Sequence, residues 1–398
     1  MPIQQICEPK LCTACFACMR VCPKGAISKV VNSLGEEMPS VDPEKCVDCG
    51  LCISLCPTNN KPNMQRAGYC YAAWSKSEDD LLKSSSGGIG TVLSRGLIIK
   101  GGVVYGSTFS EAQVFHVRID SETDTDKLRG SKYVKSDIRD CYRRILDDLR
   151  NGNKVLYIGT PCQVAGLKAF TDKKYPDLIT VDLVCHGTPP FLYLKEHLDK
   201  MCSQSNKGKR WDTAVFRFGK SFLMKVFYNG EIVYQKGAAD DFYYSAFLDG
   251  MIFRSNCYHC QYACPERLGD LTIGDFWGIN RRKIGSDYDG KISLILPNTQ
   301  KGTALLQTCM DELNLFKLPI EDALNPQQGN LLHPSVPHKE RELFEKLYPT
   351  HGFIGAVKRT DLGKTIIKRE QIKRIKRSMI YKVARRVYLK IRKRRDKI

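Results

Sequence analysis

Eight cysteines near the start of the chain fall into two copies of one pattern. The first is Cys12-x-x-Cys15-x-x-Cys18-x-x-x-Cys22-Pro23, and the second is Cys46-x-x-Cys49-x-x-Cys52-x-x-x-Cys56-Pro57. Three thiolates at this spacing wrap one [4Fe–4S] cubane. The fourth sits too far along to close the same cube and ligates the other one. The spacing therefore assigns Cys12, Cys15, Cys18 and Cys56 to one cluster, and Cys46, Cys49, Cys52 and Cys22 to a second. Zinc takes four ligands per site, usually as two separated CxxC pairs, and has no use for the third cysteine of each run. Residues 1–62 form a short internal repeat, too small for a large core, so the clusters themselves must stabilise it.

The remaining chain is long enough for one or two more domains, with 398 residues of which 42% are apolar. The N-terminus lacks the basic and apolar regions of a signal peptide, and no uncharged apolar run is long enough to span a bilayer. The expected compartment is therefore the cytoplasm, where the 18 cysteines stay reduced. The net charge of +19 is concentrated at one end: residues 364–398 hold sixteen Lys and Arg against Glu370 and Asp396. Ile372, Ile375, Met379, Val383, Val387 and Ile391 recur there at helical spacing. A basic helix with an apolar stripe reads first as an element that rests on an anionic membrane surface, here the inner face. Nucleic acid is the less favoured partner, because no recognisable nucleic-acid fold accompanies the tail.

After a linker at Asn59–Asn63, strands and helices alternate, which predicts an α/β body with a largely parallel sheet over 68–150 and 151–345. The expected strands are Gly101–Tyr105, Val114–Ile119, Lys154–Ile158, Leu178–Val184 and Ile292–Leu296. The expected helices are Gly88–Ile99, Asp137–Leu149, Pro161–Phe170, Phe191–Met201 and Thr303–Leu313. Asn229-Gly230, between Leu223–Tyr228 and Glu231–Gln235, predicts an antiparallel hairpin.

Several motifs in this body carry chemistry. Thr160-Pro161-Cys162-Gln163 opens a helix, and Cys185-His186-Gly187 ends the next strand; both lie where open α/β sheets place ligands. With Cys257-x-x-Cys260 they could bind a third [4Fe–4S] cluster, and Cys264 is close enough to replace one ligand. Equally, Cys162 and Cys185 could be core cysteines and the CxxC a dithiol or zinc half-site. Ser84-Ser85-Ser86-Gly87-Gly88-Ile89-Gly90-Thr91 suits the approach of a phosphate to a helix start, or is a plain flexible turn. Leu128-Arg129-Gly130-Ser131-Lys132-Tyr133-Val134 suits an anionic cofactor, or is a solvated loop. Gly274-Asp275-Phe276-Trp277-Gly278 is a strand entering a tight turn, or a ligand wall.

Taken in chain order, from Ser86-Gly87-Gly88 through Gly130–Val134, Gly159–Gln163, Cys185-His186-Gly187 and Cys257-x-x-Cys260 to Gly274–Gly278, the motifs resemble the beta subunit of coenzyme F(420) hydrogenases and dehydrogenases with their flavoprotein relatives, over residues 68–340, with an N-terminal two-cluster ferredoxin-type domain. The resemblance implies an FAD and a [4Fe–4S] cluster beside it, held by Cys162, Cys185, Cys257 and Cys260. It makes Ser86, Gly87, Gly88, Thr91, Gly130, Ser131, Lys132, Tyr133 and Asp275 flavin contacts. Cys264 and the basic tail lie outside the family pattern.

The expectation is an iron–sulfur flavoprotein oxidoreductase that passes electrons between clusters and FAD, and on to a deazaflavin or another small redox substrate. Lys132 would stabilise a reduced, anionic flavin, and His186 would donate a proton. The alternative is an electron-transfer module that docks to a redox partner protein and has no substrate site of its own.

Overall fold

The computed structural model describes residues 3–171, 175–204, 210–378 and 382–386. The N-terminal module pairs Ile27–Val31 with Glu37–Val41 in a hairpin between two short helices, Ala17–Val21 and Leu51–Ser54. The two copies of the cysteine run repeat each other's backbone. Ala14 and Asp48 both take left-handed φ (49° and 53°), as do Phe16 and Gly50 (54° and 70°). Such turns aim successive N–H groups into one concavity, which favours an anionic occupant.

The body is built on an eight-stranded sheet. Its order is Leu313–Pro319, Tyr69–Ser75, Ser293–Pro297, Leu271–Asp275, Leu178–Leu183, Val155–Gly159, Val103–Ser110, Gln113–Ile119. The four strands from Leu271–Asp275 to Val103–Ser110 run parallel. Helices cover both faces of this central part. Successive side chains alternate between the covers: Val155 and Tyr157 join one core with Cys141–Arg150 and Pro161–Thr171, while Leu156 joins the other with Ile89–Ile98.

The flanks are antiparallel, so the sheet is less parallel than the alternation predicts. Val103–Ser110 turns straight back into Gln113–Ile119 through Glu111 and Ala112, both left-handed, and a turn this short can only join antiparallel strands. The expected helix Thr303–Leu313 is instead Gln300–Gln307. Beyond a turn at Met310–Glu312, Leu313 begins an edge strand paired with Tyr69–Ser75. Leu313, Leu315 and Leu318 belong to that strand, which was not expected, and neither was Tyr69–Ser75. The helix expected from Asp137 starts at Cys141, because Asp137 exchanges backbone hydrogen bonds with Val114 and His116 at 3.0 and 2.8 Å.

The predicted hairpin is present as Ser221–Tyr228 and Glu231–Gly237, with Asn229 and Gly230 both at positive φ, and Thr213–Phe218 adds a third strand. Arg217 of this small sheet pairs with Asp275, the last residue of the strand Leu271–Asp275. The tail helix, Asp361–Arg377, is partly a core element: Ile366 is fully buried, and Lys236 pairs with Glu370. Ile372, Ile375 and Val383 are exposed. Met379, Val387 and Ile391 lie outside the described residues. Among the described residues, no helix is long and apolar enough to cross a membrane.

Candidate functional site

The module brings its cysteines together in the crossed arrangement. Cys12, Cys15 and Cys56 all act on the buried Cys18 thiol, while Cys22, Cys46, Cys49 and Cys52 line one small cavity. Burial pushes Cys15 up to about 12. A fifth thiol, Cys7, hydrogen-bonds to both Cys12 and Cys56, and so lowers Cys12 to about 7 and Cys56 to about 6. The spacing rule gave no place to Cys7, which lies outside the repeat.

In the body, Cys162, Cys185, Cys257 and Cys260 converge from three separate segments. Burial raises the Cys185 and Cys257 thiols and pushes Cys260 up to about 12, and the neighbouring cysteines add to each shift. Local chemistry positions them. The helix that carries Cys162 is capped by Gln163, whose Oε1 accepts from the Thr160 N–H at 3.1 Å and hydroxyl at 3.0 Å, and Pro161 takes the first helical position. The Thr188 N–H donates to Cys257 Sγ at 3.5 Å. Gly187, at φ +124°, lies where a Cβ would come within 2.6 Å of the Phe253 ring. Cys264 is placed differently: its thiol donates to the Glu266 carbonyl at 3.4 Å. Among the described residues, no three His, Cys, Asp or Glu side chains are placed to hold a single metal ion.

The Cys162 helix also packs on the module. A Cβ at Gly166 would lie 2.7 Å from the Cys15 Cβ, so only glycine admits this approach.

Beside Cys185 opens a cavity of about 720 Å³, a size typical of ligand sites. Ser86, Gly88 and Thr91 line it, as do Gly130, Ser131, Lys132 and Tyr133, and Asp275 and His186 complete the set. Gly87 is not part of the wall. Its N–H donates to Ser293 Oγ at 2.9 Å, and a Cβ there would meet the Ala73 carbonyl at 2.5 Å. The two loops are joined where the Ser131 N–H donates to Ser85 Oγ at 2.7 Å.

Lys132 Nζ donates to the Leu128 and Arg129 carbonyls at 2.8 and 2.9 Å, and burial pushes its pKa down to about 7. Both ring nitrogens of His186 are engaged: Nδ1 with Asn330 Nδ2 at 3.0 Å, and Nε2 with the Leu248 carbonyl at 3.4 Å. Nε2 therefore carries the proton, and burial lowers the pKa of the ring. Asp275 is paired with Arg217 at 2.8 Å.

Sequence reasoning missed Arg217, His116 and Ser136. Arg217 reaches the cavity from the small sheet and also donates to the Tyr133 hydroxyl at 3.0 Å. No motif marks it, because the contact is long-range. His116 faces inward from an edge strand, with Nδ1 3.0 Å from Ser136 Oγ, and burial pushes it down to about 4. A histidine in a strand of alternating polarity was its only signal. His116 Nε2 and Ser107 Oγ, on two cavity-lining residues, are buried without a hydrogen-bond partner. Such atoms suit a polar ligand. At the mouth, Trp277 is 47% exposed, and its ring lies 6.4 Å from that of Phe222.

Residues 11–60 match the 4Fe-4S dicluster domain family. Residues 152–322 match the family described as the C terminus of the coenzyme F(420) hydrogenase/dehydrogenase beta subunit. No curated protein matches the chain. Among solved structures, a chain of the xenon-derivatised F(420)-reducing [NiFe] hydrogenase complex from Methanosarcina barkeri is similar at 18% identity and a TM-score of 0.44, over 75% of this chain and 92% of that one. The chain thus joins a 4Fe-4S dicluster domain, over residues 11–60, to a domain over residues 152–322 of the type found at the C terminus of the coenzyme F(420) hydrogenase/dehydrogenase beta subunit, an oxidoreductase family.

Proposed function

We propose that the protein is an iron–sulfur flavoprotein in which three [4Fe–4S] clusters exchange electrons with an FAD in the 720 Å³ cavity, and the FAD with a small redox substrate, a deazaflavin being the first to test. The observation that carries this reading is the position of Cys185, which belongs to the four-thiol group and also lines the cavity. A cluster there would adjoin the flavin.

The donor sets fit these groups. Cys12, Cys15, Cys18 and Cys56 would hold one cluster, and Cys22, Cys46, Cys49 and Cys52 another. Cys162, Cys185, Cys257 and Cys260 would hold the third. When bound, FAD converts one-electron traffic from the clusters into the two-electron chemistry of an organic substrate. The chain's own residues do the rest. Ser85, Ser86 and Gly88, with Ile89 and Gly90 in the first turn of Ile89–Ile98, line the cavity and would offer N–H groups to the pyrophosphate. Lys132 supplies a cation whose charge is poised near neutral pH. Arg217 holds Asp275 and Tyr133 in the wall. His186 holds its Nε2 proton against the Leu248 carbonyl, so donation to a ligand requires that bond to exchange. Trp277 and Phe222 at the open mouth offer a stacking surface to a planar substrate.

Iron, sulfide and flavin analysis of anaerobically purified protein tests the reading. Three clusters predict about twelve irons with one FAD per chain. About eight irons without flavin would reduce the body to a scaffold.

A further inference from the structure

Two cations are buried at the seam between the N-terminal module and the body. Lys135 is 7% exposed and Arg254 1%. Lys135 Nζ donates to the Thr13 carbonyl at 3.0 Å, inside the first cysteine run. Arg254 Nη2 donates to the Glu37 carbonyl at 3.1 Å and reaches the Cys12 carbonyl at 3.5 Å, while Nε reaches Asn256 Oδ1 at 3.3 Å. These oxygen partners are all neutral. The buried carboxylate of the seam, Glu36, is engaged with the Ser255 N–H at 2.7 Å and hydroxyl at 3.0 Å.

Burying a cation without an anionic partner is costly. The groups that these two cations face identify the missing charge. Lys135 acts on Cys15 and Cys257, and Arg254 acts on Cys12 and Cys257. Each thus faces one thiol of the module, and they share one thiol of the body. Their backbones are anchored beside that shared thiol: the Lys135 N–H donates to the Pro189 carbonyl at 3.0 Å, and the Arg254 N–H to the Thr188 carbonyl at 3.1 Å.

We propose that Lys135 and Arg254 are positioning residues for electron transfer between the module and the body. Their charge is balanced by the thiolate-ligated clusters on either side, and it raises the reduction potential of both, the cluster held by Cys257 included. A cation stabilises the more negative, reduced state of a cluster, so the potential moves up. The step it bears on is the loss of one electron by one of these two clusters and the gain of one by the other, with no proton or co-reactant required. This inference rests on the three-cluster reading above.

The test is a redox titration of full-length, cluster-loaded protein followed by electron paramagnetic resonance, with iron counted on the same samples. Lys135→Gln removes the charge but keeps a donor for Thr13. It should retain its iron and show a lower midpoint for the body cluster. Arg254→Gln should do the same, and Arg254→Lys should restore the midpoint, as a charge effect predicts and a packing effect does not. Arg254 is the more deeply buried, so Lys135→Gln decides the matter if Arg254→Gln does not load. Unchanged midpoints in iron-replete Lys135→Gln would overturn the proposal. About eight irons in the unaltered protein would overturn both it and the reading on which it stands.

Discussion

Arg267 and Asp182 form a buried ion pair, 3.0 Å apart and 1% and 0% exposed, that fixes the Cys257–Cys264 segment against the strand leading to Cys185. The pair is fully engaged. Asp182 also accepts from the Leu268 and Gly269 N–H groups at 3.0 and 2.9 Å, and Arg267 donates to the Tyr262 and Leu183 carbonyls at 2.9 and 3.0 Å. Removing one partner leaves the other charged, buried and alone. Arg267→Met should therefore cost about 3–5 kcal/mol of stability, measured by chemical denaturation. The double variant with Asp182→Asn should recover part of that loss. Additive costs would show that the two residues do not act as a pair.

Gly166 sets how closely the module approaches the body. An added methyl would press on the Cys15 Cβ and, at 2.7 Å, on the Tyr142 hydroxyl. Gly166→Ala should cost about 1–3 kcal/mol through overpacking and slow electron passage from the module. Stopped-flow reduction of the body cluster is the measurement, and wild-type rates in a folded Gly166→Ala would mean that electrons do not cross here.

The parts of this molecule governed by local chemistry were legible in the sequence. Cysteine spacing implied the crossed sets that converge in the module, and Asn229-Gly230 implied the hairpin, because backbone geometry at those residues depends on near neighbours. Thr160-Pro161-x-Gln163 likewise carried its own cap. Strand direction was not legible at the flanks. Leu313, Leu315 and Leu318 are compatible with a helix until pairing with Tyr69–Ser75 decides the matter. The cavity was half legible: its two loops are motifs, whereas Arg217 and His116 reach it only through tertiary structure. Gly87 carries the opposite lesson, since a glycine in a ligand-binding pattern serves here to fit against Ala73.

The four-thiol group in the body and Cys264 make separable predictions. Cys185→Ser should lose about four irons per chain together with the absorbance of one cluster. Cys264→Ser should lose none, because its thiol is directed to the Glu266 carbonyl. Loss of iron from Cys264→Ser, but not from Cys260→Ser, would exchange their roles.

The basic tail cannot be tested by deleting everything from residue 364, since that would strip the fully buried Ile366 from the core. Truncation after Ser378 spares the packed part of the helix. If the tail holds the protein to a membrane, truncation should abolish sedimentation with vesicles that contain anionic lipid and leave thermal stability nearly unchanged. Equal sedimentation of the full-length and truncated chains would remove the tail from any such role.

Lys132 gives the cavity a pH dependence whose sign can be worked out. Burial lowers its folded pKa from 10.5 to about 7. Below about pH 7 the folded protein holds a half-buried ammonium and carries the full cost. Between there and 10.5 the unfolded chain binds a proton that the folded one does not, so stability rises with pH across that window. Lys132→Met should abolish this rise, and its stability advantage over wild type should be greatest below about pH 7 and shrink above it. Ligand affinity runs the other way. An anionic ligand gains from the ammonium only while the proton is present, so FAD binding by the wild-type apoprotein should weaken as pH rises from about 6 to about 8.5, approaching tenfold per unit at the upper end. In Lys132→Met, fluorescence titration should find binding weaker at low pH and flat across the same range. A flat wild-type profile would mean that the lysine does not face the anionic part of the ligand.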